Sequence, residues 1–206
     1  LLDQKIIKFI YDNPNIELVI SSSNINFLEN NSLIKKIMEL PLVTINMNFF
    51  PSGIRKSEEQ FLKLVRAGFS RFNFLPAYFI LWPAGEILLL RKTFKKIAKF
   101  IQSYPGKIFL SNLKINSPVP LFNLVPTIDQ NGDIFAGNFF MDKRFSRWRY
   151  ELRLGNIRSI KNWNVVSNFS FDFDFLTRES FHSNILKSTT AVDRELSRFV
   201  EIIKKR

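Results

Sequence analysis

The chain has 206 residues, of which 46% are hydrophobic and 23% charged, an ordinary globular composition and a length sufficient for one buried core with or without a small appendage. It holds no cysteine and a single histidine, His182, which excludes disulfides, thiolate metal sites, cysteine nucleophiles and two-histidine metal centres within these residues. The formal charge of +12 permits attraction to nucleic acid or an anionic surface, yet the basic residues are scattered as solvated helix faces would have them, with no run as dense as a nucleic-acid tail.

Ile6, Ile7, Phe9 and Ile10 place an apolar stripe on a first helix that ends near Asn13-Pro14. No charged-then-apolar leader precedes it, so no signal peptide is expected, and the chain reads as beginning mid-gene within a cytoplasmic protein. Residues 16–21 form a short β-type run around Leu18, Val19 and Ile20. Asn31 or Ser32 is expected to cap a second helix with Leu33, Ile34, Ile37, Met38 and Leu40 turned inward, and residues 42–48 form the next strand. Ser57-Glu58-Glu59-Gln60 reads as a capping box opening a third helix, with Phe61, Leu64 and Val65 on its stripe and Gly68 where a left-handed terminal residue is wanted.

A strand over 69–75 and a long helix over 86–104 follow, the helix stopped by Pro105-Gly106, and 107–113 forms a fourth strand. The uncharged stretch 72–85 spans about 14 residues against the roughly 20 of a membrane-spanning helix, and Pro76 and Pro83 interrupt it, so it reads as a buried strand and loop. Strands separated by helices are the rhythm of right-handed βαβ units in a parallel sheet or barrel.

The pattern changes after residue 118. Asn131-Gly132 suits a two-residue type I′ turn between β-type flanks at 125–130 and 133–136. Residues 169–175 alternate Phe with Ser or Asp, as a strand with one apolar face does. Thr190-Ala191-Val192-Asp193 reads as a second capping box, starting a last helix with Leu196, Phe199, Val200 and Ile203 on its stripe.

Parallel α/β architectures bind ligands at the carboxyl ends of their strands. Small polar residues recur there: Ser21, Ser22, Ser23 and Asn24, then Asn46 and Asn48, then Asn73, then Ser111 and Asn112. They can hydrogen-bond a polar ligand or cap the helices that follow, and Arg55 can grip a carboxylate or phosphate. No Gly-rich phosphate loop and no G-x-S-x-G elbow is present. Asp129, Asn131 and Asp133 have the opening spacing of a calcium loop, but Phe140 stands where its closing Glu belongs. Asp172 and Asp174 read as a solvent-facing strand edge, His182 as a surface or cap residue, and Trp82, Trp148 and Trp163 as core or contact residues too widely separated for a base-stacking platform.

The order of segments resembles radical S-adenosylmethionine enzymes, in particular the middle and C-terminal parts of members with a SPASM- or twitch-like extension. Val19-Ile20-Ser21-Ser22-Ser23-Asn24 resembles the strand reading Ile-Ser-Thr-Asn-Gly, and Val43-Thr44-Ile45-Asn46-Met47-Asn48 the next strand, Ile-Ser-Leu-Asp-Gly in many members. Phe72-Asn73-Phe74-Leu75-Pro76-Ala77-Tyr78 with Trp82 is similar to the fifth-strand region of one subgroup. Asp129 to Ile134 and Leu154-Gly155-Asn156-Ile157 resemble the hairpin of the extension and its closing phrase.

The resemblance implies an α/β fold: a partial parallel (β/α) barrel over 1–117, then a small β-hairpin extension with a C-terminal helix over 118–206. It implies S-adenosylmethionine and a 4Fe–4S cluster as cofactors of a full-length parent, with hydrogen abstraction by a 5′-deoxyadenosyl radical from a small-molecule or peptide substrate. The defining three cysteines would lie upstream of Leu1, the usual Gly-Gly-Glu is missing, and Gly137-Asn138 stand where an extension cysteine is common, so this chain binds no cluster through cysteine. The resemblance assigns Ser22, Ser23, Asn46, Arg55 and Asn73 to S-adenosylmethionine, with Asn46 at the nucleoside and Arg55 at the methionine carboxylate. It sets Asn48 and Asn112 along the substrate space. The alternative is a non-catalytic basic α/β binding protein of the RNA-binding kind.

Overall fold

The computed structural model describes residues 4–22, 28, 30–114, 126–137, 143–164 and 173–205. The chain folds as two compact units, residues 1–119 with 187–206, and residues 120–186.

The first unit opens with α1 (Gln4–Asp12), β1 (Leu18–Ser21), α2 (Asn31–Met38) and β2 (Val43–Phe49). A single 3-10 turn at Pro51–Gly53 leads into α3 (Ile54–Arg66), followed by β3 (Arg71–Pro76), α4 (Ala84–Ser103) and the short β4 (Phe109–Leu110). The four strands are all parallel and lie in sequence order, β1-β2-β3-β4. This is the βαβ rhythm of the sequence carried into one sheet.

Two helix starts differ from expectation. The α2 cap is Asn30, whose Oδ1 accepts the Leu33 N–H at 3.0 Å, ahead of both expected positions, Asn31 and Ser32. Helix α3 starts a turn earlier than Ser57, because Pro51 and the 3-10 turn already fix helical backbone. Ser57 is therefore interior and buried, and its hydroxyl donates to the Gly53 carbonyl at 3.2 Å instead of capping. The end of α3 is as expected: Gly68 takes φ +100°, Phe69 N–H reaches Leu64 O and Gly68 N–H reaches Val65 O, the paired bonds of a Schellman cap. The expected strand over 107–113 shortens to two residues, and a 3-10 turn takes Ser111–Lys114.

The core lies on one face of the sheet. Ile45, Met47 and Phe49 of β2 and Phe72 and Phe74 of β3 are fully buried against Phe61 of α3 and Phe94 of α4. Strand residues alternate faces, so the intervening residues occupy the other side. Phe74 is the hub, with ring centroids 5.3 Å from Phe49, 5.7 Å from Phe61 and 5.0 Å from Phe199. Much of the phenylalanine excess is thus spent on one edge-to-face and stacked cluster.

Phe199 belongs to the last helix, α6 (Ser183–Lys204), whose residues from Lys187 onward are part of the first unit. This helix starts seven residues before Thr190, so the second capping box is also overturned. Thr189 and Ser188 lie inside it, and their hydroxyls accept the Phe79 N–H at 2.9 Å and the Trp82 N–H at 2.7 Å.

The second unit holds the antiparallel sheet β5-β6-β7, from Thr127–Ile128, Asp133–Phe135 and Arg153–Asn156, and helix α5 (Phe173–Ser180). The hairpin is present, but its turn is not the expected type I′. Gly132 takes φ +82° while Asn131 does not take positive φ, and Gly132 N–H bonds Asp129 O at 3.0 Å. That is a right-handed turn closed by a left-handed glycine, the three-residue hairpin loop. Asp129 Oδ1 selects it by accepting the Asn131 and Asp133 N–H groups at 2.8 and 3.0 Å. Residue 125 of the expected flank lies outside the described residues. Of the strand expected over 169–175, residues 169–172, with Asp172, also lie outside them. Residues 173–175 are helical, because Leu176 and Thr177 are the buried positions and set a helical rather than alternating face.

Candidate functional site

Ser21, Ser22, Asn46, Asn48 and Asn73, singled out in the sequence, meet on the face of the four-stranded sheet opposite α3 and α4. Register places Ser21 beside Asn46, Asn46 beside Asn73, and Asn48 beside Leu75. Asn73 Nδ2 donates to Asn46 Oδ1 at 3.1 Å. Asn48 Nδ2 donates to Ser21 Oγ at 2.7 Å, and the Asn48 N–H donates to Ser22 Oγ at 3.1 Å. The Ser22 N–H continues the ladder to Asn46 O at 2.8 Å. Ser22 is buried, and Asn46, Asn48 and Asn73 are half-buried.

These side chains tie strand to strand and cap no helix. Their hydrogen-bonding capacity is only partly used: Asn46 Nδ2, Asn48 Oδ1 and Asn73 Oδ1 take no partner among the described residues. An amide row with open donors and acceptors can recognise a ligand that offers both.

The other expected site residues stand apart from that row. Arg55, one residue into α3, has a side chain 76% exposed, and its Nη2 lies 3.9 Å from Glu86 Oε1. Glu86 Oε2 is buried without a hydrogen-bond partner. Asn112 is buried and pairs with the Phe74 backbone in both directions, accepting from its N–H at 2.8 Å and donating to its carbonyl at 3.0 Å. Its side chain thus extends the β4 edge past the two-residue strand. Ser23 and Asn24 lie outside the described residues.

Sequence reading missed further polar positions on the same face. Thr44, opposite Val19, donates to Glu17 Oε1, and Arg71 stands two residues before Asn73. The signal was the strand period of two, which puts residues 44, 46 and 48, and likewise 71 and 73, on one side.

Beyond β3 the backbone is pinned by α6. The Trp82 indole N–H donates to Ala77 O at 2.8 Å, and Phe79 takes a left-handed φ of 58°. The Tyr78 hydroxyl donates to Asp193 Oδ1 at 3.0 Å. Burial, then the Asp193 charge, pushes the phenol far above its usual range, so it stays protonated as the donor. Burial likewise raises the Asp193 carboxyl against the opposing effect of that hydrogen bond. Glu195 is buried and receives two bonds from Arg91, at 2.9 and 2.7 Å, and one from Arg198 at 2.6 Å. Burial alone would raise its carboxyl, but the two guanidinium groups outweigh burial and hold it below the usual range.

No protein-family model matches the sequence, and no curated protein matches it. Solved structures do match in shape. Native anSMEcpe with bound AdoMet aligns at a TM-score of 0.64 and 11% identity, covering 100% of this chain and 71% of that one. The same protein with bound AdoMet and Kp18Cys peptide aligns at 0.62 and 9% identity, covering 100% and 74%. The fold is of the radical SAM type. It is a partial parallel (β/α) barrel followed by a small antiparallel extension and a C-terminal helix, and its 206 residues include no cysteine. At such identity the likeness speaks for fold alone. No helix among the described residues is long and apolar enough to cross a membrane.

Proposed function

We propose that the chain forms the later barrel strands (1–117) and the cover with its closing helix (118–206) of a radical S-adenosylmethionine enzyme of the cytoplasm, acting on a small-molecule or peptide substrate. The observation that carries the reading is the amide row of Asn46, Asn48 and Asn73, with open donors and acceptors on the face of a radical-SAM-type sheet opposite α3 and α4. AdoMet fits these residues. Asn46 Nδ2 and Asn73 Oδ1 supply a donor and an acceptor for the nucleoside, the pairing an amide offers to an adenine edge. Ser22 supplies a hydroxyl just past β1, Ser23 being assigned to AdoMet by its place in the sequence alone, and Arg55 exchanges its long Glu86 contact for the methionine carboxylate. Asn48 borders the substrate, and Asn112 shapes that border through the Phe74 backbone it holds.

The 4Fe–4S cluster does not fit this chain, since no thiolate is present to hold it. Its ligands belong to the parent upstream of Leu1, and the SPASM- or twitch-like extension acts as a cover without a cluster. When bound in such a parent, AdoMet with the cluster supplies radical hydrogen abstraction. The part played by these residues is to orient the nucleoside and to exclude water from the sheet face.

The test is to extend the chain along its own coding sequence. The expected outcome is a three-cysteine segment upstream and a reduced protein that releases 5′-deoxyadenosine from AdoMet, with Asn46→Ala and Asn73→Ala raising the Kd for AdoMet. A coding sequence that starts within a few residues of Leu1, or one without the cysteines, overturns the reading.

A further inference from the structure

The other end of the same sheet carries a different feature. Arg71 is the first residue of β3 and pairs in register with Phe109 of the edge strand β4. Its Nε is buried and has no hydrogen-bond partner. Its guanidinium carbon sits 5.4 Å from the centre of the Phe109 ring, and the Lys107 ammonium sits 4.7 Å from the same centre. A cavity of about 390 Å³ opens here, lined by Arg71, Ile108, Phe109, Leu110, Ser111 and Leu113. No carboxylate is among those residues, and no ion pair reaches Arg71 or Lys107 among the described residues.

A guanidinium N–H buried without an acceptor is costly. Here only an aromatic face offsets it, and a second cation shares that face. An anion would supply the acceptor that Arg71 Nε–H lacks. The walls narrow its chemistry further: four of the six lining residues are apolar, with one guanidinium and one hydroxyl. One fork and one hydroxyl line the cavity itself, and Lys107 sits on the Phe109 ring outside that lining, so a phosphate dianion would keep unmatched oxygens against Ile108, Leu110 and Leu113. The volume suits a small molecule.

We propose that this edge of β4 is a binding site for an organic monocarboxylate, its head on Arg71 and Ser111 and its apolar body against Phe109 and Leu113. The site stands independently of the AdoMet reading, because Arg71 lies at the amino end of β3 and takes no part in the amide row.

The test uses the 206-residue chain and three probes: octanoate, octanamide and inorganic phosphate. Titration is followed by ¹H–¹⁵N NMR, in which the Arg71 Nε–H is itself a signal. Octanoate is expected to move that signal and the Ser111 amide saturably, with octanamide weaker by about tenfold or more, the loss of one charge-assisted hydrogen bond. Arg71→Met keeps an unbranched apolar stem without the guanidinium and is expected to cost octanoate a similar factor. Ser111→Ala removes only the hydroxyl, at a residue that is not part of the apolar core, and is expected to weaken octanoate about fivefold, so a poorly folded Arg71→Met protein does not remove the test. Equal binding of octanamide, saturable phosphate binding that displaces octanoate, or no saturable octanoate binding at all would each overturn the proposal.

Discussion

Residues 1–119 and 187–206 bury Phe49, Phe61, Phe72, Phe74, Phe94 and Phe199 in one ring cluster, whereas residues 120–186 have a smaller core, with Ile134, Phe135, Phe145, Leu152 and Leu176 buried, and lock their hairpin with polar side chains. In that second unit Asn156 Nδ2 donates to Asn131 O at 3.1 Å and to Asp133 Oδ1 at 2.8 Å. Arg149 pairs with Asp129 at 2.7 Å, and Arg153 pairs with Asp133 at 2.8 Å. Apolar burial is nearly indifferent to pH and is not weakened by salt screening, while exposed ion pairs are screened by salt and titrate with acid. The ring cluster of the first unit and the polar lock of the hairpin in the second therefore answer different perturbations, and that contrast can be broken from either side.

The largest effect belongs to the hub. Phe74→Ala removes a fully buried ring in contact with Phe49, Phe61, Phe94 and Phe199, and is expected to cost about 3–5 kcal/mol. Urea denaturation followed by far-UV circular dichroism measures it. A loss below about 1 kcal/mol would show that the cluster relaxes into the space and is not the anchor of the unit.

Next is Asn112→Leu, which leaves the Phe74 N–H and carbonyl without partners in a buried setting and is expected to cost about 2 kcal/mol or more. Because the side chain acts as a strand extension, the Phe74 amide should also lose hydrogen-exchange protection. Retained protection with lowered stability would point to packing and not to the paired bonds.

The hub and the extension differ in how much the sequence told of them. The strand cores at Val43–Phe49 and Arg71–Pro76 and the helix Ala84–Ser103 were readable because period and length agree there. Helix starts were not. Pro51 and Ser57 both carry start signals, and only the backbone decides which is used. Residues 173–175 read as strand because Phe alternates with Asp, while the burial of Leu176 and Thr177 that makes them helical is a tertiary fact. The return of Lys187–Arg206 to the first unit leaves no mark in local sequence. For the site, the residue types of the amide row were visible but their pairing was not. Arg71 was hidden because a basic residue in a strand reads as solvated until its partner across the ladder is known to be Phe109.

A smaller, local effect is expected from Asn156→Ala, which removes two bonds to the hairpin turn, at about 1 kcal/mol. Amide exchange should rise at the 129–133 turn and leave Phe74 unchanged. Gly132→Ala acts at the same place by strain, since φ is +82° and the added Cβ would meet Ile157 Cγ2 at 2.9 Å. If either change loosened Phe74 as much as the turn, the two units would be one cooperative block.

The smallest effect separates the units by sign. In the second, hydrogen bonds from Arg153 and Asn156 hold the Asp133 carboxyl below its usual value. Its contribution is present above an unfolded pKa of about 3.9 and is lost as pH falls through the lower folded value. In the first, burial holds the Asp193 carboxyl above its usual value despite the Tyr78 hydroxyl. Its contribution is fully present below the unfolded pKa and is lost as pH rises through the higher folded value. Asp193→Asn keeps an acceptor for Tyr78 and removes the charge, so it should melt above the parent at neutral pH, with the gap closing as the pH approaches about 4. Asp133→Asn should do the reverse, melting lower at neutral pH and converging only in stronger acid. Matching signs in the two variants would mean that their surroundings do not hold the Asp133 and Asp193 carboxyls in opposite directions.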